Sequence, residues 1–200
     1  VIGAGGAVGE AAVRALMASG WHVRASMRQH RADVAARLVA CGADVNFETL
    51  PDEKSWLGPA TETEALVFIT NLITTRAALE RLPAPPRRLV VFSSNNVAVD
   101  VDAPSYRALA EAETSLRAQY QNIAIIRPTL VYGDARLITV TRLLNMARYA
   151  PAMLLPGSGR ARVQPVFHAD LGALAAGLAA PDAPRGVFAA GGPEVVTMGA

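Results

Sequence analysis

Lysine is almost missing from this chain. Of its 19 basic residues only Lys54 is a lysine and the rest are arginine, so any chemistry that needs an amine beside a reacting group has one candidate. Cysteine is as scarce. Cys41 stands alone, which excludes an internal disulfide, agrees with a reducing cytoplasm as the expected location, and is most simply a small core residue. No apolar run approaches the ~20 residues needed to cross a bilayer, and no basic stretch followed by a short apolar one opens the chain. Strong charge is lacking too: a net charge of +2 carried by scattered arginines does not make a nucleic-acid surface. The three histidines, His22, His30 and His168, fall on separate segments without ligand spacing, so no metal site is expected.

What is present is enough apolar material for one core: 200 residues, 52% of them hydrophobic. Runs rich in Val, Ile and Phe alternate with Ala-, Leu- and Arg-rich segments of helical period, the pattern of a parallel sheet with crossover helices. Strands are expected near 21–27, 43–47, 65–70, 88–93, 123–127 and 186–190, and helices near 8–19, 31–41, 73–82, 105–119, 136–149 and 171–179. Gly20 and Gly42 fall where helix C-terminal caps belong, and PAPP at 83–86 turns the chain from a helix into a strand. The expected architecture is an α/β, doubly wound parallel sheet of the Rossmann type, with 1–200 forming one dinucleotide-binding domain. Residues 132–165 and 186–200 are expected to contribute a small substrate region. The first strand has only Val1 and Ile2 before its glycine turn, and GGPEVVTMGA reads as a strand exit followed by a helix starting at Thr197; both termini are therefore expected to be cut.

In VIGAGGAVGE the glycines stand at 3, 5, 6 and 9. A GxGxxG reading would need glycine where Val8 stands, whereas GxxGxxG fits Gly3, Gly6 and Gly9. Either way glycine permits a tight turn and close approach of backbone to a pyrophosphate, while the amides around Ala7 and Val8 at the start of the next helix favour its charge. The turn follows a strand end and opens the helix EAAVRALMASG, which is the context a dinucleotide site requires. An acidic residue about 20 positions further on would hold both ribose hydroxyls of NAD. Arg28 occupies that region, with Arg31 close behind, and a guanidinium suits a 2′-phosphate, so NADP is favoured over NAD.

Four stretches in order, GAGGAVG, VVFSSNNV, IIRPTLVYG and QPVFHADL, make the whole chain resemble the short-chain dehydrogenase/reductase superfamily in its extended or atypical branch, the NAD-dependent epimerase/dehydratase type. The resemblance implies cofactor contacts from the glycine turn and from the RPTLVYG loop around Pro128, and a substrate-orienting hydroxyl at Ser94. Thr70 and Asn71, ending a strand, are further candidates to line the cofactor. Asp170 reads as the cap of the helix at 171.

Relatives that transfer hydride carry tyrosine and lysine at i and i+4 on one helix, where the ammonium makes a phenol of pKa about 10 usable at neutral pH. In PSYRALAEAE, Tyr106 is followed at i+4 by Ala110, and a register shifted by one pairs Ser105 with Leu109. Both registers lack the lysine. Lys54 is expected on the adenine side, and Arg107 points about 100° away from Tyr106 around the helix. Packing with Leu109, Ala112, Leu116 and Tyr120 is the expected role of Tyr106, with catalysis as the alternative. Arg160 and Arg162 are candidates for an anionic substrate such as a sugar nucleotide, although the arginine of relatives aligns at Val163, and Phe167 replaces a common histidine.

Two functions remain open. One is an NADP-dependent oxidoreductase or epimerase-like enzyme acting on a small carbonyl or sugar-nucleotide substrate through Ser94 and Tyr106. The other is a cofactor sensor or assembly subunit that kept the dinucleotide site without the chemistry.

Overall fold

A computed structural model of the protein describes residues 1–28, 31–48, 50, 57–99, 102–149 and 159–197. Lys54 and His30, with 150–158 and 198–200 of the expected substrate region, lie outside the described residues.

Short aliphatic runs buried on both faces build a parallel sheet, as such runs must when helices cover both sides. Its strands are β1 (Arg24–Met27), β2 (Asp44–Phe47), β3 (Leu66–Phe68), β4 (Leu89–Phe92), β5 (Ile123–Pro128) and, later in the chain, β9 (Gly186–Ala190). Ile2 bridges in parallel to Ser26 and to Phe68, so the Val1–Ile2 segment lies between β1 and β3. The order across the sheet is β2, β1, the Ile2 segment, β3, β4, β5 and β9, all parallel. This is the doubly wound Rossmann order, and the chain reverses its direction of winding at Ile2.

Side chains alternate across the sheet with period two. Leu89, Val91, Ile123 and Ile125 face α4 (Leu72–Leu79) and α6 (Pro104–Gln119), where Leu72, Leu79, Ala112 and Leu116 close the layer. Val90, Phe92, Ala124 and Ile126 face the other way, onto α1 (Ala7–Ala18), α2 (Ala32–Ala40) and α8 (His168–Leu178). Helices α1 and α8 lie close because Gly172 presents no side chain; a Cβ there would stand 2.6 Å from the Ala11 carbonyl carbon. Among the described residues no helix is long and apolar enough to cross a membrane.

All six expected strands and all six expected helices occur, with ends shifted by up to three residues. Gly20 and Gly42 adopt positive φ just beyond α1 and α2, as cap positions require. Three expectations are corrected. Helix α8 begins at His168 with Phe167 at the N-cap, so Asp170 lies inside the first turn, where its charge meets the helix dipole, and is not the cap. Thr197 does not open a helix: Val196–Thr197 form β10, antiparallel to β7 (Arg162–Val163), as the β-branched run Val195–Val196–Thr197 favours. Helix α7 (Ile138–Tyr149) starts two residues after the expected 136, because the Asp134 carboxylate accepts the Arg136 amide at 2.8 Å in a local turn. Helices α3 (Leu57–Glu62) and α5 (Asn96–Val99), with the paired β6 (Val131–Tyr132) and β8 (Val166–Phe167), are too short to leave a periodic signal.

Two charged clamps fix the helices on this frame. Arg127 of β5 grips Glu113 of α6 through Nε to Oε1 at 3.0 Å and Nη2 to Oε2 at 2.5 Å, with Glu113 3% exposed. Glu10, in the first turn of α1, accepts Arg37 Nε of α2 at 2.8 Å, Arg14 Nη2 at 3.1 Å and Arg136 Nη1 at 2.9 Å. These three arginines, Arg37 first, hold the Glu10 carboxyl near pKa 2 instead of its ordinary 4.5, against the opposing effect of burial.

A pKa depressed on folding gives stability that is complete above about pH 5 and lost as pH falls from 4.5 toward 2. The contribution is on the order of 3 kcal/mol at most, because the partners Arg14 and Arg37 remain partly solvated. Wild type should therefore lose unfolding free energy between pH 5 and 2 faster than Glu10→Gln, in urea titrations at each pH, with the two converging near pH 2. A gap that stays constant across that range would contradict the assignment.

Candidate functional site

The carboxyl ends of the strands converge on the point where the winding reverses, and the glycine turn occupies it. Gly3 donates to the Ser26 carbonyl at 2.9 Å and Ala4 to the same oxygen at 3.0 Å, which anchors the turn to β1. The three glycines of the GxxGxxG reading then have separate reasons to be glycine. Gly3 sits at φ +92° with its Cα against the backbone of Ile69, where a Cβ would strike the Ile69 carbonyl. At Gly9 a Cβ would strike the Gly3 carbonyl and stand 2.8 Å from Ala4 Cα, so α1 can close onto the turn only here, not at Val8.

Gly6 differs from both. It is the N-cap of α1 with φ −80° and ψ 165°, a conformation open to any residue, and a Cβ there would meet nothing in the protein nearer than the Gly3 carbonyl at 3.7 Å. Nothing inside the protein demands glycine at 6. The bare surface lies beside the first-turn amides of Ala7, Val8 and Gly9, which have no carbonyl one turn back within the helix. Free first-turn amides of this kind carry the positive end of the helix dipole, which favours an anion.

Around it, Arg28 is exposed just beyond β1, next to Met27, whose Cβ would lie 3.3 Å from a Cβ on Gly5. Arg31 stands at the N-cap of α2 with its guanidinium 3.8 Å from Asp33. Thr70 borders Gly3, and its hydroxyl shares a 2.8 Å hydrogen bond with that of Thr75. Asn71 caps α4, its Oδ1 accepting the Ile73 amide at 2.9 Å, so its acceptor is already engaged.

On the β4–β5 side a crevice of about 1060 Å³ opens, lined by Ser94, Asn96, Pro128, Arg136, Arg162 and Gln164 among others. The Asn95 amide donates to the Pro128 carbonyl at 3.0 Å, which sets Ser94 beside Pro128 at the strand ends. Ser94 Oγ accepts the Asn96 amide at 3.3 Å. Gln164 Nε2 donates to the Gly192 carbonyl at 2.6 Å and its own carbonyl accepts the Thr129 hydroxyl, pinning the far wall. Arg160 is exposed, and Arg162 stands on β7 at the rim.

Tyr106 departs from the packing expected of it. Leu109, Ala112, Leu116 and Tyr120 do form the buried stripe of α6, but the first turn of that helix lies against α5, not against the sheet. There Tyr106 is half-buried, and its hydroxyl oxygen accepts Asn96 Nδ2 at 2.7 Å. A chain of bonds thus runs from Ser94 through Asn96 to Tyr106. Leu109 is committed to the core, Ser105 is exposed, and Arg107 reaches back to the Asp102 carbonyl at 3.4 Å.

Asn96, Glu10, Asp134 and Arg136 are the site residues that sequence reasoning missed. Glu10 and Arg136 are 126 positions apart, and no local signal pairs them; the D-x-R turn at 134–136 was overlooked because the helix was expected to start at 136. A second cavity, of about 550 Å³, opens at the opposite, amino end of the strands around Trp21 and Val1, away from where open α/β sheets hold ligands. His22 lies there beside Asp44 at 3.5 Å, His168 Nδ1 is 3.3 Å from the Tyr132 carbonyl, and among the described residues no three metal-ligating side chains converge.

No protein-family model matches the sequence, and no curated protein matches it. Solved structures do match the fold. A double mutant of dTDP-glucose 4,6-dehydratase from Streptomyces venezuelae with NAD bound superposes with a TM-score of 0.77 at 18% identity, over 98% of this chain and 76% of that one. Triphenylmethane reductase from Citrobacter sp. complexed with NADP(H) gives 0.74 at 15% identity, over 99% and 71%. A nucleoside-diphosphate-sugar epimerase from Pseudomonas aeruginosa gives 0.73 at 15% identity, over 99% and 72%. The chain therefore has the Rossmann-type fold of these dehydratase, reductase and epimerase structures, the fold that its resemblance to the extended short-chain dehydrogenase/reductases implies.

Proposed function

We propose that this protein binds a nicotinamide dinucleotide with its pyrophosphate over Gly6 and the amides of Ala7 and Val8, and takes NADP in preference to NAD. The observation that carries this reading is the bare backbone at Gly6. Packing accounts for Gly3 and Gly9, while Gly6 keeps a clear approach to free helix-start amides. Structures of the same fold hold NAD or NADP(H), which supports the class of ligand. Arg28 is unpaired among the described residues and exposed at the end of β1, the place from which a 2′-phosphate would be bound. Pro128 lines the crevice, and Thr70, which borders Gly3, would line the cofactor together with Asn71.

The same site supports an atypical oxidoreductase or epimerase-like enzyme. The dinucleotide, when bound, supplies hydride chemistry. Ser94 then polarises a substrate oxygen, and the Tyr106 O–H, whose oxygen already accepts from Asn96, is left to donate a proton outward. An amide stabilises the resulting phenolate less than an ammonium would, so turnover should be slow. Segments 132–165 and 186–200 supply the substrate region, and Arg162 at the crevice rim suits an anionic group such as the diphosphate of a sugar nucleotide. The competing reading, a cofactor sensor or assembly subunit, is favoured by one observation: Leu109 and Ala110 put no cation on the face of α6 near Tyr106.

Three outcomes test these readings. In calorimetric titrations Gly6→Ala should weaken NADPH at least about ten-fold while costing the cap only a few tenths to 1 kcal/mol of stability. Gly9→Ala should instead destabilise the fold. Equal NADPH affinity in Gly6→Ala and wild type contradicts the pyrophosphate placement. Arg28→Ala should raise the Kd for NADPH about ten- to a hundred-fold and leave that for NADH within about two-fold; equal weakening of both removes the 2′-phosphate role. On a panel of aldehydes, ketones and nucleoside-diphosphate sugars, Tyr106→Phe and Ser94→Ala should each cut kcat by about a hundred-fold or more with NADPH binding intact. A wild type that binds NADPH and turns over nothing on the panel selects the sensor.

A further inference from the structure

Arg136 is bonded to three separate parts of the fold at once. Its Nη1 reaches Glu10 Oε2 at 2.9 Å in the first turn of α1 and the Gly5 carbonyl at 3.4 Å inside the glycine turn. Its Nε and Nη2 hold Asp134 in a fork, at 2.9 Å and 2.6 Å, in the loop that follows β6. The side chain is 19% exposed, and both carboxylates lie well below their ordinary pKa, so the cluster stays charged across the physiological range. Residues 136–139, from Arg136 to Thr139, form one wall of the crevice beside Ser94. The ties from that wall to α1 and to the glycine turn run through the Arg136 guanidinium.

We propose that Arg136 is a positioning residue that couples the glycine turn to the crevice wall at 134–139, so that occupying the turn orders the wall. The inference rests on the dinucleotide reading of that turn. An anion drawn onto the amides of Ala7 and Val8 tightens the first turn of α1, where the Glu10 amide already bonds the Gly6 carbonyl at 2.9 Å. Glu10 and the Gly5 carbonyl then hold the guanidinium in one place, and its planar fork transmits that position to Asp134. Arg136 binds no ligand in this account; it fixes where Leu137, Ile138 and Thr139 stand when substrate enters.

Hydrogen exchange of the full chain, with and without saturating NADPH, reads both ends of the strut. In wild type NADPH should slow exchange of amides at 6–10 and, by about ten-fold, of those at 134–141. In Arg136→Met, which leaves Glu10 paired with Arg14 and Arg37, the slowing at 6–10 should persist and that at 134–141 should vanish. Asp134→Asn should reproduce this loss if Arg136→Met fails to fold. A merely structural arginine would raise exchange in both regions regardless of NADPH. Protection confined to 6–10 in wild type, or equal protection at 134–141 in the variants, overturns the strut alone. No protection anywhere with NADPH or NADH overturns the dinucleotide reading, and the strut with it.

Discussion

An α-helix can begin directly beside a strand end only if its first turn lies flush against the turn that precedes it. Here that contact is Gly9 against the Gly3 carbonyl and Ala4, and a single methyl group would prop it open. Everything proposed for the site depends on this approach. It aims the first amides of α1 at the space above Gly6, and it delivers Glu10, the next residue, to a point where arginines from α2 and from the loop after β6 can meet it. One steric constraint thus places both the first-turn amides of α1 and the charged hub.

The hub explains why so many arginines without lysines are workable around this sheet. Glu10 accepts from three guanidiniums in different directions, and Arg136 binds Asp134 as a planar fork while still reaching Glu10 and Gly5. A lysine offers a point charge and could not hold three parts of the fold in one plane. Where an ammonium would be needed as a point charge, beside Tyr106, the chain has Ala110 and a core-packed Leu109, and a neutral Asn96 contacts the phenol instead. The preference for arginine therefore serves the scaffold, and no cation stands at the i+3 or i+4 position after Tyr106.

Much of the fold was legible because period and punctuation report burial directly. The doubly wound sheet follows from runs such as Leu89–Phe92 and Ile123–Ile126, buried on both faces, and from glycines at 20 and 42 that end helices at positive φ. The tight turn was legible as well, with Gly3 and Gly9 where close backbone contacts exclude a side chain, since spacing within ten residues is local information. Long-range polar contacts were not. Nothing near Glu10 announces Arg136, and nothing near Tyr106 announces that its helix turn lies beyond the sheet and faces α5. The two-residue β6 and β8 and the single turn of α5 are too short to repeat a pattern, so the loops that shape the crevice stayed invisible; the strand at Val196–Thr197 was read as a helix start for the same reason.

The most direct test of the account looks at the amides themselves. In a 1H–15N spectrum of the labelled protein titrated with NADPH, the resonances of Ala7 and Val8 should move downfield and saturate together, as hydrogen bonding to a phosphate requires, with Gly6 shifting alongside them. Saturable binding that leaves those three resonances in place, or a spectrum unchanged by NADPH and NADH alike, would contradict the claim that this turn holds a diphosphate.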